Sequence, residues 1–249
     1  MNQAEARRLF DASAETYDRV NSVISLGLDA RWRDWAARQA VATPGARVLD
    51  AFAGTGRVGL RAAELGARVT LADVSPGMLE VARRRARGRG LDVSTLVTDL
   101  SAEQLGMAGA FDAITLMWGL RYLDDPAGVL RRLFSLVAPG GRIVVIDFVE
   151  PAGGAFNRLV AAYFFRVLPW IASALAGRRE LYRALVSTTH AMGSRERLLA
   201  HVRDAGLEVT QQRTMGFGMV VGVVARAETS AGGVVCHAPA TEHASVSAG

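Results

Sequence analysis

The stretch best suited to hold a ligand is Asp50-Ala51-Phe52-Ala53-Gly54-Thr55-Gly56. Ala46, Val48 and Leu49 lead into an acid, and small residues with two glycines then open a helix-like run. A strand ending in such a turn brings bare backbone close to whatever lies at the helix N-terminus. The dinucleotide spacing G-x-G-x-x-G is not met, because only Gly54 and Gly56 keep it. Seventeen residues beyond Gly56, Asp73 ends the apolar run Val69-Thr70-Leu71-Ala72. A carboxylate there can accept both hydroxyls of a ribose, or it can cap a helix starting at Ser75-Pro76. Asp99, after Val97-Thr98, can accept from the exocyclic amine of an adenine or close a turn. Three acids at three successive strand ends, the first with a glycine turn, form a constellation suited to an adenosine-containing ligand.

Other residues suit the reacting side. Arg121 follows a fourth apolar run and can offer charge and a planar fork of donors to an anion. His190 lies in a helical pattern, where it is either a proton acceptor or a structural histidine. Tyr17 either closes over a ligand or packs in the core.

These residues need a scaffold that aligns strand ends. Strand candidates are Arg47–Ala51, Arg68–Ala72, Val93–Thr98, Phe111–Met117 and Arg142–Phe148, with helical patterns between most of them. Ala138-Pro139-Gly140-Gly141 reads as a turn before the last. This alternation predicts a parallel, doubly wound α/β sheet whose ligand site lies beyond the carboxyl ends of the strands. Before it, apolar positions at Leu9, Phe10, Tyr17 and Val20 suit a helix over residues 4–20. Trp32 and Trp35 belong to a second helix, so residues 1–43 read as a helical cap. After it, residues 151–205 form a helical insertion, with an apolar part at 156–176 carrying Arg158 and Arg166 and broken at Pro169. Two strands, Glu208–Met215 and Met219–Ala225, joined through Gly216-Phe217-Gly218, predict an antiparallel hairpin closing the sheet. Residues 1–226 thus form one domain, and 227–249, rich in Ala, Gly, Ser and Thr without periodicity, read as a disordered tail.

Composition narrows the chemistry. The chain of 249 residues is half hydrophobic and about one-fifth charged, as in globular domains. All 29 basic residues are Arg, which excludes any lysine Schiff base. The net charge of +5 would suit nucleic acid, an anionic membrane or an anionic substrate. The densest basic run, Arg83 to Arg89, lacks interleaved aromatics and reads as a solvated helix end. The single Cys236 excludes an intramolecular disulfide and a cysteine zinc cluster, and no metal site is expected. No signal peptide and no membrane-spanning run is read, so the compartment expected is the cytoplasm.

The order Asp-x-x-Ala-Gly-Thr-Gly resembles motif I of class I S-adenosylmethionine-dependent methyltransferases, although Phe52 and Ala53 replace commoner glycines. A narrower resemblance covers about residues 9–225. Phe10-Asp11-x-x-Ala14-x-x-Tyr17-Asp18-x-x-Asn21, Ser25-x-Gly27, Trp32-Arg33, Phe111-Asp112-Ala113-Ile114-Thr115, Gly119-Leu120-Arg121 and Tyr163-x-Phe165-x-Val167-Leu168-Pro169 are similar to segments of ubiquinone/menaquinone C-methyltransferases. Tyr182-Arg183 matches again. The resemblance implies a mostly parallel seven-stranded Rossmann-like sheet and S-adenosyl-L-methionine as cofactor. The cofactor contacts implied are Tyr17, Asp50, Ala53, Gly54, Gly56, Asp73, Val74, Asp99, Leu100 and Trp118. On the substrate side stand Arg121, Tyr122 and His190. The implied reaction is C-methylation of a prenylated quinol, demethylmenaquinol to menaquinol above all. Tyr122 stands where the family has asparagine, and Ala191–Glu196 departs from its Phe-Pro-x-Gln-like stretch. Those departures keep open methylation of another small molecule at oxygen, nitrogen or carbon. A nucleic-acid methyltransferase or a silent binding module is the remoter alternative, since no Asn-Pro-Pro-aromatic segment follows the fourth strand. The partners expected are a small-molecule or lipid-quinol acceptor and no nucleic acid. Transient membrane contact through 156–176, at the inner face, and a homodimer stay open.

Overall fold

The computed structural model describes residues 11, 14, 17–25, 27–101, 107–167 and 179–227. Leu9, Phe10, Pro169 and residues 228–249 of the expected tail lie outside them. Seven strands form one sheet in the order β3-β2-β1-β4-β5-β7-β6. The strands are β1 (Arg47–Ala51), β2 (Arg68–Asp73), β3 (Val93–Val97), β4 (Phe111–Met117), β5 (Val137–Phe148), β6 (Leu207–Met215) and β7 (Val220–Ala227). The first five run parallel, while β7 pairs antiparallel with both β5 and β6. The chain order reverses at β1 and β4, so their carboxyl ends open a crevice, as such sheets do.

Strands in the middle of this sheet are covered on both faces and read as continuous apolar runs. Val48, Leu49, Ile114, Leu116 and Ile143 to Ile146 are buried accordingly. One face is covered by α2 (Leu28–Ala40), α3 (Arg57–Glu64) and α4 (Pro76–Gly88), through Trp32, Trp35, Val58, Leu79 and Ala82. The other is covered by α5 (Pro126–Phe134) and α8 (Arg195–Asp204), through Leu130, Leu133, Leu198 and Val202. The α1 helix (Tyr17–Ile24) sits over the crevice, and α6 (Ala155–Ala162), a π-helical turn (Tyr163–Val167) and α7 (Arg179–Met192) follow β5.

Two boundaries differ from expectation, and one capping alternative is decided. The stretch Ala138–Gly141 is no turn before β5 but a bulge inside it. Phe111 pairs with Val137 and Ala113 with Arg142, and the extra residues bow out where Gly140 takes φ 78°. Ala227 ends β7, paired with Leu207, and is not part of a tail. The α4 helix is capped by Ser75, whose Oγ accepts from the Met78 amide at 3.1 Å, so Asp73 is left for other work.

Two glycines set how closely helices meet the sheet. A Cβ on Gly222 of β7 would lie 2.5 Å from the Trp35 ring, so the cap docks only because that position is bare. A Cβ on Gly59 of α3 would lie 2.2 Å from Leu71 Cδ2 and 3.0 Å from Val69 Cγ1. Both neighbours are buried in the core and have nowhere to retreat. Gly59→Ala should therefore lose stability, by roughly 1–3 kcal/mol, although alanine is the better helix former by about 1 kcal/mol. A urea midpoint equal to or above that of the parent chain would show the contact to be looser than this.

Candidate active site

The crevice is built on one buried acid. Asp50, at the end of β1, accepts from the Gly59 amide at 2.8 Å and from Thr115 Oγ1 at 2.7 Å. It so ties β1 to α3 and β4 and fixes the turn between them. Burial pushes its pKa up to about 7, against the effect of those two bonds. Inside the turn Phe52 and Gly54 both take φ 55°, and the Gly54 amide donates to Asp73 Oδ2 at 2.8 Å. Asp73 Oδ1 accepts from the Ser75 amide at 2.9 Å, and burial raises its pKa. A carboxylate has about four lone-pair sites, so Asp73 still has capacity to accept from a ribose hydroxyl. Asp99 closes a turn, Oδ1 accepting from the Ser101 amide and hydroxyl at 2.9 and 2.6 Å.

Three chambers meet here. The first, about 570 Å³, is lined by Gly54, Asp73, Val74, Asp99, Leu100 and Tyr122, among others. A Cβ on Gly54 would meet nothing within 4 Å, so open space fronts the turn. Carboxylates at two strand ends, an apolar wall and a bare backbone fit the adenosine of S-adenosylmethionine. The second, about 490 Å³, is largely apolar, with Trp32, Phe148, Phe164 and Val220 on its walls and, among the described residues, Asp29 and Arg121 as its charged groups. The third, about 50 Å³, is small and polar and holds Asp50, Ala53 and Arg33. Tyr17 and Trp118 line all three.

Trp118 reaches this junction because its backbone is left-handed, φ 67°, uncommon for a bulky residue. Its ring stacks on Phe148 at 4.3 Å and meets Trp32 edge-on at 5.9 Å. Burial pushes the Tyr17 pKa up to about 12, so its hydroxyl keeps its proton and is not a base. Arg121 is buried beside them. Its Nη1 donates to Asp147 Oδ1 at 2.6 Å, its backbone amide to Oδ2 at 3.1 Å, and its Nη2 to the Tyr122 hydroxyl at 3.3 Å. The guanidinium lies 4.7 Å from the Tyr122 ring centre and 5.4 Å from that of Phe148. Burial alone disfavours this charge, but Tyr122, Asp147 and Tyr17 together hold the arginine pKa above its ordinary value.

Two predicted residues stand elsewhere. Gly56 lines none of the three chambers; a Cβ there would lie 2.8 Å from Ala82 Cβ, so its bareness serves the contact between α3 and α4. His190 is exposed, 2.5 Å from Glu150 Oε1 through Nδ1 and stacked on Phe165 at 4.3 Å, and it too lines none of the three. Sequence reading missed Asp29, Arg33 and Asp147. An acid ending an apolar strand was the available signal for Asp147, the same one that marks Asp50 and Asp73.

Residues 1–226 match the ubiE/COQ5 methyltransferase family. A demethylmenaquinone methyltransferase of Thermus thermophilus is 39% identical over 203 residues, 81% of this chain and 92% of that protein. The ubiquinone/menaquinone biosynthesis C-methyltransferase UbiE of Coxiella burnetii is 30% identical over 220 residues, 87% of this chain and 88% of that one. Among solved structures, the magnesium protoporphyrin IX methyltransferase of Synechocystis, with bound SAH, superimposes with a TM-score of 0.64. It is 18% identical and covers 91% of this chain and 100% of its own, which shows the shared fold.

The buried Asp50 makes a pH prediction. With its pKa near 7, the folded chain keeps a proton that the unfolded chain releases near pH 4. This group's contribution to stability is therefore full at about pH 4 and falls as pH rises to 7, by at most about 1.4 kcal/mol per unit, then levels off. Asparagine can accept from Gly59 and donate to Thr115 without titrating. Between pH 4 and 7 the unfolding free energy of the parent chain should fall relative to that of Asp50→Asn along that slope, and the difference should level off above pH 7. Parallel curves would place the Asp50 pKa in the ordinary range.

Proposed function

The chain belongs to the ubiE/COQ5 methyltransferase family, and from that premise we propose that it methylates a ring carbon of a prenylated quinol, demethylmenaquinol above all, using S-adenosylmethionine. One observation carries the reading: the polar nucleoside-shaped chamber and the apolar chamber meet at Tyr17 and Trp118, with Arg121 on the apolar side. When bound, S-adenosylmethionine supplies an electrophilic methyl group for in-line transfer to a nucleophilic carbon. The chain's part is to align the two ligands, exclude water and make that carbon nucleophilic.

Asp73 and Asp99 hold the adenosine from below, and Tyr17 and Trp118 close the junction against water. A quinol carbon becomes a better nucleophile as the neighbouring hydroxyl, an ordinary phenol of pKa near 10, gives up its proton. Arg121 stabilises the resulting phenolate, with Asp147 fixing the guanidinium in place. Asp29 also lies on the wall of that chamber, but its Oδ2 is paired with Arg33 and Arg57, so activation of the acceptor rests on the charge of Arg121. His190 stands away from it. The prenyl tail lies along the apolar walls and leaves at the mouth, where Leu159, Tyr163 and Phe217 are exposed. These three side chains would touch the membrane surface from which the acceptor comes. Among the described residues no helix is long and apolar enough to cross a membrane.

Incubation with methyl-deuterated cofactor and reduced demethylmenaquinone should give labelled menaquinol, seen by mass spectrometry as a label on the ring carbon. A label on oxygen, or none, would refute the reading.

The role of Arg121 is separable from its packing. Arg121→Ala should lower turnover about a hundredfold to a thousandfold, but it also strands the Asp147 charge, which costs about 3–5 kcal/mol of stability. The pair Arg121→Met with Asp147→Asn removes both charges and keeps an acceptor for the local amides. That double variant should regain much of the stability while turnover stays low. Turnover, cofactor affinity and unfolding free energy are to be measured on the same preparations. Full turnover in the stable double variant would remove Arg121 from the chemistry.

A further inference from the structure

The exposed hydrophobic side chains are gathered in one place. Of the four large ones exposed among the described residues, Leu159, Tyr163 and Phe217 ring the mouth of the apolar chamber. The fourth, Val97, is on β3 at the opposite edge of the sheet from the β6–β7 hairpin. Phe217 stands at the tip of that hairpin, 59% exposed, on a left-handed backbone of φ 56°. The tip lies between cap and insertion. A Cβ on Gly216 would lie 2.9 Å from Trp32 Cζ2, and one on Gly218 would lie 4.0 Å from Asn157 Oδ1 of α6.

Beyond Phe217 is a groove of about 720 Å³ between α2 and β6, which shares Leu28, Trp32, Gly216 and Phe217 with the apolar chamber. Among the described residues its charged groups are Arg31, Arg38, Arg213 and Asp34. Asp34 is occupied, accepting from Arg38 Nε at 2.8 Å and from Arg61 Nε at 2.7 Å. Arg31 and Arg213 are exposed, and among the described residues neither guanidinium makes a hydrogen bond or ion pair. Both can offer a planar fork of donors to phosphate oxygens. An apolar contact as small as three side chains is marginal at a bilayer, and stable seating takes a second signal such as basic charge. Anionic headgroups supply the attraction for it. RNA would meet the same arginines, but Trp32 and Trp35 are buried in the groove wall, which leaves Phe217 as the exposed ring there on which a base could stack.

We propose that this groove is a site for anionic phospholipid: Arg31 and Arg213 take headgroup phosphates while Leu159, Tyr163 and Phe217 enter the bilayer interface beside them. The inference rests on the quinol reading above and extends it to how the chain meets the membrane that holds its acceptor. It places the charged half of the contact on α2 and β6, outside residues 156–176. It also turns the mouth of the chamber to the bilayer before any acceptor has entered.

The test uses vesicles without quinone, so that binding is read apart from turnover. The parent chain should sediment with vesicles of phosphatidylcholine and phosphatidylglycerol about tenfold more tightly than with phosphatidylcholine alone, and added salt should erase the difference. Arg31→Gln with Arg213→Gln should lose roughly tenfold to thirtyfold on the mixed vesicles. That double variant should keep its unfolding midpoint and its turnover on a short-tailed acceptor in solution. Arg203→Gln with Arg226→Gln removes the same charge from α8 and from the end of β7 remote from the hairpin tip, and should bind as the parent does. Equal affinity of the parent for both kinds of vesicle would overturn the proposal. Equal losses in the two double variants would assign binding to net charge and overturn it as well. So would an RNA bound by the parent and lost in Arg31→Gln with Arg213→Gln while vesicle binding stayed unchanged. The quinol reading is judged separately, on the product. A chain that methylates demethylmenaquinol but binds all vesicles alike overturns the proposal alone; one that shows the charge dependence but methylates no quinol refutes the acceptor reading alone.

Discussion

Everything in the crevice depends on a carboxylate that is almost wholly withdrawn from water. Asp50 is 2% exposed, and its two protein partners come from a helix and from the neighbouring strand. Taking it out of water is costly, which is why its pKa stands near 7. What that cost secures is the path of the chain just beyond. With Asp50 bonded to Gly59, the start of α3 is held over β1, and the turn from Phe52 to Gly56 must pass through left-handed conformations to reach it. The Gly54 amide is thereby aimed at Asp73, and the ends of β1 and β2 are joined through side chain and backbone.

A second buried charge has a different logic. Arg121 lies in the short turn Leu120–Tyr122 that follows β4, and Asp147 near the end of the adjacent β5, with side chains 3% and 0% exposed. A pair this deep gains little net stability over an apolar one. Its value lies in what it leaves in the apolar chamber: a fixed cation beside aromatic faces, where a phenolate would otherwise be far too costly to form. Low dielectric strengthens that attraction, and preorganisation by Asp147 spares the site any rearrangement as charge develops.

The scaffold was largely legible because its signals are local. Arg47–Ala51 and Phe111–Met117 are read to the residue, since an apolar run bounded by polar or small residues is all a buried parallel strand needs. The bulge at Ala138–Gly141 was not legible: Pro and Gly mark a bend, and only pairing with β4 tells a bulge from a turn. The acids at strand ends were legible for the same local reason as the strands. Their partners were not. Asp125, a neighbour of Arg121 in sequence, caps α5 instead, while the real partner Asp147 lies 26 residues away and is adjacent only because β4 and β5 pair. Asp29 and Arg33 looked like any i, i+4 pair on a helix surface, a pattern that carries no sign of burial. Gly56 had the spacing of a ligand glycine, yet helix packing makes the same demand for a missing Cβ.

The separation of the two large chambers rests on one strained residue. A left-handed backbone at a bulky residue costs roughly 1–3 kcal/mol, and Trp118 adopts it at the end of β4. The amide of Trp118 donates to Ile146 at 3.0 Å, and the indole is gripped by Phe148 and Trp32, so packing on both sides sustains the strain. Glycine would adopt this backbone freely. It would also remove the wall, merging a polar chamber with an apolar one and letting water reach the point where the two ligands meet. Strain at this position is therefore coupled to exclusion of water. The ring that stores it is the surface on which cofactor and acceptor must align, and Gly119 beside it is kept bare by Phe52, whose Cγ lies 2.9 Å from where a Cβ would stand. The ends of β1 and β4 are thus fitted to each other through two left-handed aromatic residues, Trp118 held between Phe148 and Trp32 and Phe52 packed over the bare Gly119.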